Sequence, residues 1–141
     1  MNLFRLWLAF ATVPWLALAG LAGAAPAPPV GKAPPELLKA QQDAAREAYR
    51  LCAAGYPAGA PGCDAEKCYL WSRRLLEAER QLAGDGDADR AALAGHLDRM
   101  KQLEEIAGKL FQAKVSSRLD VLSAAFYRAE AETWVAHAKG K

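Results

Sequence analysis

Residues Phe111–Ala125 read Phe-Gln-Ala-Lys-Val-Ser-Ser-Arg-Leu-Asp-Val-Leu-Ser-Ala-Ala, and this stretch predicts the turn of a long helical hairpin. Ser117 is suited to cap the helix that follows, and Asp120, three residues later, completes a Ser-x-x-Asp capping box. An Ala-rich amphipathic run then continues to Ala138. The stretch therefore predicts two antiparallel helices on either side of a turn at residues 114–118.

Outward from this turn, the chain divides into four predicted helices, because segments rich in glycine, proline or aspartate interrupt the apolar periodicity. Asp64 is a good N-cap for the second helix, and Gly84-Asp-Gly-Asp ends it. The four predicted spans are about Glu36–Ala54, Asp64–Ala83, Asp89–Ala113 and Arg118–Ala138.

Each predicted helix carries an apolar stripe at three- and four-residue spacing, and helices of this length bury such stripes by packing on one another. The stripes predict an all-α fold of antiparallel long-helix hairpins, arranged as a four-helix bundle that resembles a coiled coil. Their members are Leu38, Ala45, Ala48 and Cys52; then Cys68, Trp71, Leu75, Ala78 and Leu82; then Leu93, Leu97, Met100, Leu103, Ala107 and Leu110; and finally Leu119, Leu122, Phe126, Ala129, Thr133 and Ala136.

The N-terminus has the pattern of a secretory signal peptide over residues 1–24. Arg5 is the only charge before the apolar run Leu6–Leu21, and Ala22-Gly23-Ala24 fits the small-x-small cleavage rule. The alternative is an uncleaved membrane anchor, but the apolar run is short for a span of about 20 residues. Residues 25–35 are proline-rich and predict a flexible leader, which leaves 36–141 as one helical domain. We therefore expect an exported protein of the periplasm or the outer-membrane surface, with no membrane span after cleavage.

The composition favours neither nucleic-acid binding nor catalysis. The formal net charge is only +2, and both signs are mixed along the predicted helices. His96 and His137 lie within helical patterns without a nucleophile motif beside them, and Ser72, before two arginines, suggests no mechanism. Residues 85–89 place aspartates at alternate positions, but Arg90 and His96 stand where a calcium loop needs glycine and glutamate, so helix capping explains them better. We expect no catalytic residue, cofactor or metal.

The most specific chemical signal in the chain is a set of three cysteines, Cys52, Cys63 and Cys68. In an exported protein they predict one disulfide, with Cys52–Cys63 closing the neck of the first loop as the first choice. Cys68 is then a free, buried thiol, whereas the alternative bond Cys52–Cys68 leaves Cys63 free. Cys63-x4-Cys68 is not a usual zinc spacing, so a metal site is the weaker interpretation.

The turn at 111–125 resembles the helical hairpin repeat of the TolC-like outer-membrane efflux proteins. The resemblance rests on Phe111, Asp120, Val121, Leu122 and Ala124, while Lys114 stands where that family usually has a turn glycine. It extends more weakly over the chain from Glu36 to the C-terminus. The resemblance implies a helical envelope protein whose hairpin tip meets a partner.

The resemblance gives the predicted partner-binding residues, which are Lys114, Ser116, Ser117, Arg118 and Asp120. It implies an exported, non-catalytic protein that packs on partner helices of an envelope or efflux assembly, or on copies of itself. The alternative is an independent periplasmic binding or adaptor protein with no efflux role. A small enzyme is a third and weaker alternative.

Overall fold

The computed structural model describes residues 33–84 and 86–139. The predicted signal peptide at residues 1–24, most of the predicted leader at 25–35, Asp85 and the last two residues lie outside this range. The described residues form four α-helices, namely α1 (Pro35–Gly55), α2 (Ala65–Ala83), α3 (Asp87–Gln112) and α4 (Arg118–Lys139). The all-α prediction is confirmed.

Local interactions set the ends of the two helices in the first hairpin. Pro35 opens α1, at a position where its missing N–H is not needed. The backbone N–H of Tyr56 still reaches the carbonyl of Cys52 as α1 ends. Asp64 caps α2 as predicted, because its carboxylate accepts a 2.7 Å hydrogen bond from the backbone N–H of Lys67.

The second hairpin turns at Ala113–Ser117. Lys114 adopts a positive φ of 59°, the left-handed conformation that a glycine takes most easily. The N–H of Val115 then donates a 2.8 Å bond back to the carbonyl of Leu110, which closes α3. The predicted capping box is present: the N–H of Ser117 donates to Asp120 at 2.8 Å, and the N–H of Asp120 donates to Ser117 Oγ at 3.2 Å.

The helices pack as successive antiparallel neighbours, with α1 on α2, α2 on α3 and α3 on α4. Short loops join these neighbours, so the 56–64 loop and the 113–117 turn lie at the same end of the bundle. The main core stands near that end and comprises Cys52, Tyr56, Ala65, Cys68, Met100, Leu103, Ala107, Ala124 and Ala131. A smaller cluster of Leu76, Ala92 and Leu93 lies against Trp134 and Val135 toward the other end.

The predicted stripe of α4 is wrong. Its members Leu119, Leu122, Phe126, Ala129, Thr133 and Ala136 are all exposed. The residues of α4 that enter the core are Ala124 and Ala131, on the opposite side of the helix. These alanines lie in the core beside the larger Tyr127, Trp134 and Val135, which also pack on the bundle. The stripes of the other three helices are confirmed in their main positions, apart from Leu82, which is exposed.

Candidate functional site

The predicted contact residues of the hairpin tip divide into two groups. Ser117 and Asp120 satisfy each other in the capping box, and Ser117 Oγ also donates to Asp120 at 2.8 Å. Ser116 is half-buried, and its hydroxyl points to the carbonyl of Ala107 at 3.4 Å. Lys114 and Arg118 are exposed, with the Arg118 guanidinium 5.9 Å from the centre of the Phe111 ring. The side chains of Lys114 and Arg118 are therefore available to contact a partner. Ser116, Ser117 and Asp120 instead stabilise the turn.

An exposed apolar surface continues from this tip along the outer side of α4. We call it the α4 face and define it as Leu119, Leu122, Phe126, Ala129, Thr133 and Ala136. Its large members keep much of their surface in solvent, at 71% for Leu119, 53% for Leu122 and 64% for Phe126. Val115, in the turn, adds another 67% exposed side chain at the same end. Contiguous apolar exposure of this kind marks an interaction surface more often than scattered single residues do.

The one hydroxyl on the α4 face is already satisfied. Thr133 Oγ1 donates a 2.9 Å hydrogen bond to the carbonyl of Ala129, one turn earlier in the same helix. The hydroxyl therefore needs no partner of its own when this surface is covered. The whole length of the α4 face from Leu119 to Ala136 can be buried without leaving a side-chain donor unpaired.

Charges border the α4 face on one side. Arg118 lies at its start, and Glu132 lies near its far end, where it accepts a 2.7 Å hydrogen bond from Arg128. Arg128 also pairs with Glu104 of α3 at 2.6 Å, so it is held against the bundle. Glu132 and Arg118 each keep exposed surface beside the apolar stripe.

The three cysteines meet where α1 ends and α2 begins, and all three are free thiols. The sulfur of Cys68 lies 3.3 Å from that of Cys52, and both residues are buried. Burial raises the pKa of both thiols above the ordinary value, so they are protonated at neutral pH. Cys63 is half-buried and close to Cys52, and its sulfur occupies the space that a Cβ on Gly55 would need. The predicted Cys52–Cys63 bond stays a prediction.

Ser72 and His96 form a buried pair that the sequence reasoning missed. Both are completely enclosed, and Ser72 Oγ lies 2.8 Å from His96 Nδ1. The His96 ring stacks on Trp134 with its centre 5.5 Å away. Burial, with Arg99's positive charge, lowers the pKa of His96 to about 4, so the ring is neutral at neutral pH. Helical spacing could have indicated the burial of His96, though not its contact with Ser72, because His96 stands three residues after Leu93 and four before Met100.

Arg99 links this pair to the first hairpin. Its Nε donates a 2.7 Å hydrogen bond to Ser72 Oγ, and its Nη2 lies 3.7 Å from Glu79 Oε2. Arg46 of α1 approaches the other oxygen of Glu79 at 3.7 Å. The Arg99 guanidinium also lies 5.7 Å from the ring centre of Tyr49. This network joins α1, α2 and α3 through paired charges, and it leaves Ser72 no opening through which a substrate could reach it.

An open groove of about 620 Å³ lies near the junction of α2 and α3, beside the C-terminal half of α4. Its charged lining is already paired, since Arg73 contacts Glu77 at 3.3 Å and Arg80 contacts Asp89 at 2.5 Å. Across residues 33–84 and 86–139, no group of three or more His, Cys, Asp or Glu side chains is arranged to hold a metal ion. In that same part of the chain, no helix has the length and apolar character needed to cross a bilayer.

Comparison with known proteins adds no relative: no family model, no curated protein and no solved structure matches this chain. The α4 face and the adjoining cations of the tip are therefore assigned as the candidate functional site on their geometry alone.

Proposed function

We propose that this chain is an exported, non-catalytic helical protein that works by packing its α4 face against a helix of a partner in a cell-envelope assembly. The exposed α4 face carries the proposal. Leu119, Leu122 and Phe126 each leave more than half of their surface in solvent, on the side of α4 that faces away from the bundle. Covering such side chains is favourable by roughly 25 cal/mol per Å² of apolar surface removed from water.

The non-catalytic part of the proposal is supported by the enclosure of the Ser72–His96 pair. A nucleophile must meet its substrate, yet both residues are fully buried and the hydroxyl already accepts from Arg99. The low pKa of His96 follows from the same burial. A polar network that ties three helices together accounts for these contacts.

An efflux assembly is the specific form of this proposal that the TolC-like resemblance suggests. The observed capping box and the left-handed Lys114, at the expected glycine position, support the hairpin part of that resemblance. The α4 face starts directly beside this tip, so a partner that met the tip would also meet Leu119. Export rests on the signal-peptide pattern of residues 1–24.

Site-specific photo-crosslinking in the native envelope tests this function. A photoreactive residue replaces Leu122 on the α4 face in one variant. In the control variant it replaces Leu37 of α1, which is similarly exposed at 58% but lies on another helix. We expect a defined adduct from position 122 and none from position 37, because only the α4 face is proposed to be covered.

Mass spectrometry of the adduct then identifies the partner helix. An adduct with an inner-membrane pump or its adaptor protein supports the efflux form. An adduct with another envelope protein supports the general function and removes the efflux form. Equal labelling at positions 122 and 37, or none at either, would show that the α4 face is not the contact surface.

A further inference from the structure

The α4 face divides into a bulky half and a small half. Leu119, Leu122 and Phe126 occupy the half next to the tip, and Ala129, Thr133 and Ala136 occupy the other half. All six are exposed and alternate at three- and four-residue spacing, which is the seam of a two-helix coiled coil. When a second copy lies antiparallel with Leu119 opposite Ala129, a leucine meets a small residue at each end of the contact, and Leu122 and Phe126 of the two copies fill its middle.

Resting on the function proposed above, we propose that the partner is a second copy of this chain, which pairs antiparallel with the first through the α4 face. In this pairing Leu122 packs against Phe126 of the other copy around the twofold axis. Leu119 packs against Ala129 of the other copy. Each copy gives the same surface, so the interface closes as a symmetric dimer.

A parallel pair fits less well. It would place Phe126 against Phe126 and Leu119 against Leu119 at one end, but alanine against alanine at the other, so the helix spacing could not be uniform. It would also bring two copies of Lys114 and Arg118 together at one end of the dimer. The antiparallel pair places these exposed cations at opposite ends.

Charge selects the register of the antiparallel pair. With Leu119 opposite Ala129, the flanking Arg118 of each copy lies opposite Glu132 of the other, and the symmetry produces two such ion pairs. Sliding the copies by one heptad, with Leu119 opposite Ala136, would instead bring Arg118 beside Lys139. The register with Leu119 opposite Ala129 therefore pairs opposite charges, whereas the register with Leu119 opposite Ala136 pairs like charges. Flanking charges select the register of coiled coils in the same way.

Thr133 lies at the edge of this interface, because position 133 falls opposite position 115 of the other copy. Its hydroxyl already donates to the Ala129 carbonyl at 2.9 Å, so a neighbour that covers it leaves no donor unpaired. The interface is one helix pair and therefore small, which predicts a reversible dimer that dissociates on dilution.

Disulfide trapping tests the orientation. Leu119→Cys and Ala129→Cys chains are made separately in a Cys63→Ser background, which removes the half-buried native thiol, and are then mixed and oxidised. We expect a crosslinked dimer from the mixture and none from either chain alone. In the antiparallel register, two copies of position 119 lie about 15 Å apart along the axis, beyond the reach of a disulfide.

Sedimentation of the wild-type chain across a dilution series gives the oligomeric state. Glu132→Arg should weaken the dimer by about three- to tenfold, and adding Arg118→Glu to that variant should restore it, since the two ion pairs are rebuilt in reverse. Crosslinking of Leu119→Cys alone would show a parallel pair, and faster trapping of Leu119→Cys with Ala136→Cys would show the other register. Either result overturns the proposal.

The outcomes also separate this inference from the function on which it rests. A chain that stays monomeric, yet photo-crosslinks from position 122 to a different protein, overturns the homodimer and leaves the packing function standing. A monomeric chain without adducts from position 122 overturns both.

Discussion

His96 shows at the scale of one residue how burial controls charge. Ser72, Arg99, Arg73, Tyr69 and Trp134 surround or approach its ring, and no carboxylate is among its nearest partners. Burial is the largest cause of its low pKa, and the positive charge of Arg99 is the next. Protonating this ring inside the fold would place a second cation in an enclosed site.

We expect acid to destabilise the protein through His96. An unfolded chain binds a proton on this ring below its usual pKa of 6.5, whereas the folded chain resists protonation until about pH 4. Stability is therefore full above pH 6.5 and falls as the pH drops toward 4, by about 3 kcal/mol from this residue. Urea unfolding across this pH range should show the loss.

A matched pair of variants isolates the contribution of His96. His96→Gln should flatten the pH dependence between 6.5 and 4, whatever its effect on stability at neutral pH. His137→Gln, at an exposed position of α4, should keep the wild-type slope. An unchanged slope in His96→Gln would contradict the assignment, because the carboxylates titrate equally in both chains.

Lys114 gives a second prediction for a single residue. Its φ of 59° is unfavourable for a side chain with a Cβ, so Lys114→Gly should raise the free energy of unfolding by about 1 kcal/mol. Thermal unfolding measures the change. Ala113→Gly is the control, since Ala113 has a right-handed φ of −75° and its replacement should lower stability. Stabilisation by both variants, or by neither, would show that backbone strain at 114 is not the cause.

The boundaries of the helices could be predicted because local chemistry sets them. Asp64 needs only the N–H of Lys67, three residues later, and Ser117 and Asp120 need only each other. Glycine, proline and aspartate segments end the periodic runs without help from the tertiary structure. The predicted ends of all four helices therefore lie within about two residues of the observed ones.

The orientation of α4 could not be predicted, because it depends on which neighbour fits. The rule that large apolar residues face the core selected Leu119, Leu122 and Phe126. In the structure Ala124 and Ala131 face the bundle, and both are almost completely buried. α4 carries apolar residues on two sides, and the side that packs on the bundle combines these alanines with Tyr127, Trp134 and Val135, so side-chain size alone could not identify it.

The candidate site was predictable in part for the same reason. The turn at the tip could be predicted because a capping box is a local motif. In the structure Ser117 and Asp120 bond to each other in that box, whereas Lys114 and Arg118 remain exposed. The α4 face was present in the sequence but assigned to the core. The Ser72–His96 contact joins residues 24 positions apart on different helices, so no local pattern could reveal it.

At the scale of the whole molecule, one end of the bundle gathers most of the distinctive features. The first loop, the three thiols and the tip of the second hairpin all lie there. Tyr56 connects them, since it is buried beneath the tip, and burial with the negative charge of Asp120 raises its pKa to about 12. The three thiols therefore lie at the same end of the bundle as the start of the α4 face.

Oxidation of the thiols gives the last prediction. We expect oxidised glutathione to form a Cys52–Cys68 disulfide, itself being reduced to two thiols, because the two sulfurs already lie 3.3 Å apart. Cys63 is the more accessible thiol, so native-state alkylation should label it first. The bond would join α1 to α2 and raise stability by about 3 kcal/mol, as expected for a closed loop of about 15 residues.

Peptide mapping without reduction separates this bond from the Cys52–Cys63 bond predicted at the first loop. Cys63→Ser should still oxidise to the same product with the same gain in thermal stability, because the half-buried residue is not a partner in it. Cys68→Ser removes the preferred partner and leaves only Cys52–Cys63, which closes a shorter loop than Cys52–Cys68 does. We therefore expect a smaller gain in that variant. A wild-type product linked through Cys63 would show that the first loop, rather than the contact between α1 and α2, determines the pairing.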